Sequence, residues 1–169
     1  MTRAATLPTQ PAGLVISALF LERTTTPSVH RAKDRGANGR LILIVERDHG
    51  VRDLQEHFLA EAGYSVEFVD DGEAALEQVR ANPPLLVVTE ILIPKIDGLT
   101  LCRRLRDEPA TSAIPVIVFS ILAASARAAE AGAQAFLRKP LVGSTFLAAV
   151  KDLIGEEQAA GLEGPWVSP

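Results

Sequence analysis

At 169 residues, 47% hydrophobic and 22% charged, the chain is long enough for one globular domain with extensions. The formal net charge of −4 argues against nucleic acid as the main partner. The single cysteine, Cys102, excludes an intrachain disulfide and fits a cytoplasmic setting. No apolar stretch is long enough to span a bilayer. The run from Ala12 to Leu21 is about half of the ~20 residues a membrane helix needs, and it lacks a signal-peptide cleavage site.

Residues 1–40 read as an N-terminal extension. They carry six Arg or Lys against two acids, and end in the polar, glycine-containing run Arg31–Arg40. Such composition predicts a largely disordered, solvated linker over residues 22–40. Leu41-Ile42-Leu43-Ile44-Val45 is a bare apolar, β-branched run, the pattern of a strand buried on both faces. It ends at Glu46-Arg47-Asp48. Val51, Leu54, Phe58 and Leu59 then recur at helical spacing until Gly63.

Ser65–Val69 alternates as an edge strand does, and Asp70-Asp71-Gly72 opens a helix with Ala74, Ala75, Leu76 and Val79 inward. Leu85–Thr89 is the next bare strand. It runs into Glu90, a proline turn at Pro94, and Asp97-Gly98, which opens a helix with Leu101, Cys102 and Leu105 inward. Ile114–Phe119 is the fourth strand, ending at Ser120. An alanine-rich helix is expected over residues 121–130, closed by Gly132. The short strand Ala135–Leu137 leads to Arg138-Lys139-Pro140. A last helix from about Ser144 puts Phe146, Leu147, Val150, Leu153 and Ile154 on one face. Residues 155–169 read as a frayed C-terminal tail.

Five strand–helix units joined by short loops predict an α/β fold: a flavodoxin-like, doubly wound, five-stranded parallel sheet of order 2-1-3-4-5 over residues 41–154. In such sheets the ligand chemistry lies at the carboxyl ends of the strands. Glu46, Glu90, Ser120 and Lys139 all fall there. The histidines His30, His49 and His57 are not spaced as metal ligands and read as surface residues. Cys102 reads as a small buried hydrophobe.

As a set, these residues resemble the receiver domains of two-component response regulators. Glu46 and Arg47 stand at that family's acidic pair, and Glu90 stands at its phosphoacceptor position. Ile93-Pro94 and Asp97-Gly98 follow in the family's frame. Ser120 matches the hydroxyl switch position, Phe136 the aromatic one, and Lys139-Pro140 the phosphate-contacting lysine with its usually cis proline. The resemblance implies a carboxylate nucleophile, a Mg²⁺ ion held by acids, and a lysine and a hydroxyl on the phosphoryl oxygens.

Two departures weigh against that chemistry here. Glu90 is one methylene longer than aspartate, which moves its oxygens by roughly one bond length, ~1.5 Å. A misplacement of about 1 Å costs a positioned reaction ~100-fold. Arg47 puts a cation where an acid would ligate the metal, and Asp48 lies one residue out of frame. Arg47 is expected to pair with Glu46 or Glu90 instead.

The expectation is therefore a stand-alone, non-enzymatic pseudo-receiver without phosphotransfer, with Mg²⁺ binding weak or absent and no other cofactor. It acts by contact with a histidine kinase or downstream regulator, with no nucleic-acid or membrane partner. A homodimer through residues 121–154 is expected, its apolar face including Ala124 and Ala128. Two other readings stay open: a working phosphoacceptor using Glu90 or Asp48, and a flavodoxin-like small-molecule binder.

Overall fold

A computed structural model describes residues 40–155. The expected disorder of the extension, its apolar run, His30 and the C-terminal tail lie outside the described residues. Ten elements alternate along the chain: β1 (Leu41–Val45), α1 (His49–Glu61), β2 (Ser65–Val69), α2 (Gly72–Ala81), β3 (Leu86–Thr89), α3 (Gly98–Asp107), β4 (Val116–Ser120), α4 (Ser125–Glu130), β5 (Ala135–Arg138) and α5 (Gly143–Ile154). All strand pairs are parallel and the sheet order is β2-β1-β3-β4-β5, as the sequence predicts.

Strand alternation divides the core in two. Leu43, Val45, Val87, Val116 and Val118 point to the face covered by α2, α3 and α4, where they meet Ala75, Leu76, Val79, Leu101, Cys102, Leu105 and Ala128. Ile42, Ile44, Leu86, Val88, Ile117 and Phe119 point to the face covered by α1 and α5, against Leu59, Phe146, Val150 and Ile154. Burying each large side chain contributes about 1.5–3 kcal/mol, so the bare strands drive formation of the sheet. Among the described residues no helix is long and apolar enough to cross a membrane.

Each of the first three helices starts on an aspartate that caps it. Asp48 Oδ1 accepts from the Val51 amide at 3.0 Å, and Asp71 Oδ1 from the Ala74 amide at 2.8 Å. Asp97 Oδ1 accepts from the amides of Leu99 and Thr100 at 2.9 and 3.0 Å. Such caps satisfy otherwise orphaned amides at a helix start and favour the acid's charge there. Past the end of α1, Gly63 takes φ 79°, a left-handed turn that glycine adopts at no steric cost.

Two helical expectations need correction. In α1 it is Gln55 and Leu59 that are buried, while Leu54 is 48% exposed. The buried stripe therefore runs through Val51, Gln55, Phe58 and Leu59. The alanine-rich helix begins at Ser125, not at residue 121, and residues 121–124 form a loop. Ala124 and Ala128 face the core and are buried, so they cannot belong to an exposed contact face.

Candidate functional site

The register of the sheet creates the site. Val45 pairs with Thr89 across β1 and β3, so the next residues, Glu46 and Glu90, leave the sheet side by side. The Glu90 amide continues this pairing by donating to the Val45 carbonyl at 3.0 Å. Ser120 ends β4 opposite Arg138 of β5, and the Lys139 amide donates to the Ser120 carbonyl at 3.0 Å. Four strand ends thus bring two carboxylates, a hydroxyl and an ammonium together. Glu46, Glu90 and Ser120 are all buried.

Lys139 joins the two acids. Its Nζ stands 2.6 Å from Glu46 Oε2 and 2.9 Å from Glu90 Oε2. The ring of Phe119 lies beneath the ammonium, 5.4 Å from Nζ to the ring centroid. The remaining oxygens are taken as well. Glu46 Oε1 accepts from the amides of Arg47 and Asp48, both at 3.0 Å. Glu90 Oε1 accepts from the Ile91 amide at 2.6 Å, from the Leu92 amide at 3.3 Å, and from the Ser120 hydroxyl. Ser120 Oγ in turn accepts from the Leu122 amide at 3.3 Å, which ties the carboxylate to the loop after β4.

These contacts set the protonation of the site. Burial works to raise the Glu90 carboxyl, but the Ser120 hydroxyl, the Lys139 ammonium and the Ile91 amide outweigh it and hold the group below its ordinary 4.5. Burial likewise works to lower Lys139, and the two glutamates outweigh it and hold the amine above its ordinary 10.5. At neutral pH Glu90 is therefore a carboxylate and Lys139 an ammonium.

The loop after Glu90 is fixed by close backbone packing. A Cβ on Gly98 would meet the Glu90 carbonyl oxygen at 2.2 Å, and the Gly98 amide donates to the Ile91 carbonyl at 3.0 Å. Only glycine allows that approach, which is why Asp97-Gly98 follows the strand at this distance. Lys95 takes φ 65° in the same loop, and its ammonium meets Asp71 at 2.9 Å.

Of the residues singled out in the sequence, Glu46, Glu90, Ser120 and Lys139 converge. Lys139–Pro140 is a cis peptide. Arg47 and Asp48 do not converge with them. The Arg47 side chain is exposed and pairs with neither Glu46 nor Glu90; Glu46 meets the Arg47 amide instead. Asp48 is exposed and caps α1. Phe136 is half-buried on β5 opposite Val118, packed on the α2–α4 side of the core. His49 and His57 are exposed and Cys102 is buried.

Sequence reasoning passed over Arg52. Its guanidinium donates to the backbone carbonyl of Glu46 and to Asp70, and reaches the Val69 carbonyl at 3.4 Å. No periodicity marks an arginine whose partners are main-chain oxygens. Its only signal is a position six residues beyond a strand-end acid.

The family described as response regulator receiver domain matches residues 42–151. The transcriptional regulatory protein CseB of Streptomyces avermitilis is 35% identical over 116 residues, which cover 67% of this chain and 48% of that protein. Response regulator MprA of Mycobacterium sp. (strain KMS) is 35% identical over 127 residues, 73% of this chain and 54% of that one. The chain thus spans about half the length of these relatives. Among solved structures, the signal receiver domain of a signal transduction histidine kinase from Syntrophus aciditrophicus is 31% identical. Its TM-score is 0.64, over 76% of this chain and 97% of that one.

Proposed function

Since the chain belongs to the response regulator receiver domain family of two-component systems, we propose that it is a receiver module held in one signalling state by its own Glu90. The observation that carries this reading is the set of partners on that carboxylate. Lys139 and Ser120 are the groups that contact the phosphoryl oxygens in the family, and here both are engaged by Glu90. The amides of Ile91 and Leu92 add two more donors to the same side chain. A carboxylate that carries this many charge-assisted contacts is stabilised as an anion and poorly disposed to attack a phosphoryl donor.

The donor set also does not fit the divalent ion the family implies. Mg²⁺ requires near-octahedral oxygen ligation. The two inward carboxylates here face the Lys139 ammonium, and Asp48, the nearest further acid in sequence, is exposed and capping α1. Among the described residues no group of three or more His, Cys, Asp or Glu side chains is placed to hold a metal. These observations support weak or absent Mg²⁺ binding, with the lysine supplying positive charge at the strand ends.

Output then passes through protein contact, with a histidine kinase or downstream regulator as partner in the cytoplasm, or with a second copy through residues 121–154. Ile121 and Val142, 59% and 57% exposed, lie within that span and favour an apolar contact. Incubation with a small phosphodonor and Mg²⁺, followed by intact mass measurement, tests the central reading. No mass gain is expected. Stoichiometric addition of a phosphoryl group at Glu90 or Asp48 overturns it.

A further inference from the structure

We propose that Arg52 is a positioning residue for the Glu46–Lys139–Glu90 triad, acting through the main chain of Glu46. The inference rests on the signalling reading only in that it concerns the same triad; the geometry stands without it. Arg52 lies in the first turn of α1, on the far side of the β1–α1 turn from Lys139. Its Nε donates to the Glu46 carbonyl, while its terminal nitrogen reaches the Val69 carbonyl at 3.4 Å and Asp70. The guanidinium lies over the Phe68 ring, 5.3 Å from its centroid. One planar cation thus joins the carboxyl ends of β1 and β2 to the helix that follows β1.

The division of labour at Glu46 makes this more than a surface tether. The Glu46 side chain turns inward, with Oε1 on the amides of Arg47 and Asp48 and Oε2 on Lys139. Its carbonyl turns the other way, to Arg52. The turn is therefore held from inside by the carboxylate and from outside by the guanidinium. Without the outer hold, the Glu46 backbone can rotate, and Oε2 cannot stay at 2.6 Å from Lys139 while Oε1 keeps both amides. The Arg52 side chain is only 15% exposed, against 75% for Asp70, so the ion pair is the peripheral part of the arrangement. An exposed pair of that kind contributes little, whereas a guanidinium fork on two main-chain carbonyls fixes geometry. Lysine, with a point charge in place of the fork, does not replace it.

The test is the ¹⁵N-detected side-chain ammonium signal of Lys139 in the full chain. This reports the triad and is blind to a general loss of stability in a protein that remains folded. In Arg52→Ala the Lys139 ammonium is expected to exchange with water about tenfold faster, the ratio expected for weakening one hydrogen bond. Arg52→Lys should shift the signal in the same direction. Asp70→Ala, which removes only the exposed partner, should leave it unchanged, as should Arg80→Ala, which breaks a pair with Glu108 elsewhere. If Arg52→Ala does not fold, Arg52→Lys decides. An unchanged Lys139 signal in a folded Arg52 variant overturns the proposal, as does an equal change in Asp70→Ala. Phosphoryl labelling of the wild-type chain is a separate measurement, so failure of the signalling reading would not be mistaken for failure of this one.

Discussion

Lys139 Nζ lies 2.9 Å from Glu90 Oε2, and this contact joins a residue just past β3 to one just past β5. A second carboxylate, Glu46, holds the same ammonium at 2.6 Å, so removing the lysine leaves two acids facing each other out of water. Breaking a buried pair from one side strands the other charge. Lys139→Met should therefore destabilise the domain by about 3 kcal/mol at neutral pH, read as a shift in urea unfolding. Adding Glu90→Gln to that variant should recover part of the loss. Strict additivity of the two changes would mean that the contact carries no coupling.

The same pair sets how stability varies with pH. Glu90 titrates below its ordinary 4.5 in the folded chain, so its contribution is full above 4.5 and is lost as pH falls through the lower folded value. Lys139 titrates above 10.5, so its contribution is full below 10.5 and is lost as pH rises through the higher folded value. Urea midpoints measured across pH should show both declines. In Glu90→Gln the acid-side decline should become shallower; an identical acid limb in the variant would remove Glu90 from the explanation.

Shortening the acid tests whether chemistry is recoverable. Glu90→Asp withdraws the carboxylate from Ser120 and Lys139 by roughly 1.5 Å, one bond length. It leaves the site without the second ligating acid, because Arg47 points to solvent and Asp48 caps a helix. The single variant should therefore label poorly with phosphodonor and Mg²⁺, while Glu90→Asp combined with Arg47→Asp should label better. Full labelling of the single variant, by intact mass, would show that Arg47 is no obstacle.

The parallel strands are legible in the sequence because a strand covered on both faces must be apolar at every position, and loops between them are short. The site is legible for the related reason that polar side chains at strand carboxyl ends have one place to go. Glu46, Glu90, Ser120 and Lys139 meet there. Side-chain direction in a turn is not legible. Arg47 and Asp48 follow Glu46 immediately, yet one points to water and the other caps α1, since the turn offers its amides and not its side chains to the carboxylate. In α1, taking Leu54 as the inward residue in place of Gln55 is an error of one position, about 100° around the helix axis. In the alanine-rich stretch, no contrast between faces exists to mark where the helix starts or which methyl groups are covered.

That last point gives a sharp pair of substitutions. Ala128 is fully buried in the apolar core on its face of the sheet, whereas its neighbour Ala129 is exposed. Ala128→Glu forces an unpaired carboxylate into the core and should cost on the order of 3 kcal/mol or more, or abolish folding. Ala129→Glu should stay within about 0.5 kcal/mol of wild type. It is the variant suited to testing self-association through residues 121–154 by sedimentation. Equal stability of the two variants would contradict the placement of α4.

Gly98→Ala probes the link between the helix start and the acid. The added methyl group would meet the Glu90 carbonyl oxygen at 2.2 Å and its carbon at 3.0 Å, and both are backbone atoms that cannot swing aside. Overpacking of this kind typically costs about 1–3 kcal/mol. Here the strain falls on the residue whose side chain meets Ser120 and Lys139. The expected outcome has two parts: a urea midpoint lowered by that amount, and faster exchange of the Lys139 ammonium as Glu90 is displaced. A close approach elsewhere, to a side chain and not to backbone, supplies the control. Gly143→Ala would drive its methyl into the Phe58 ring at 2.5 Å, between α1 and α5. It should lower stability while leaving the Lys139 signal in place. If both glycine variants perturb Lys139 equally, the close approach of Gly98 to Glu90 has no particular role in holding the carboxylate.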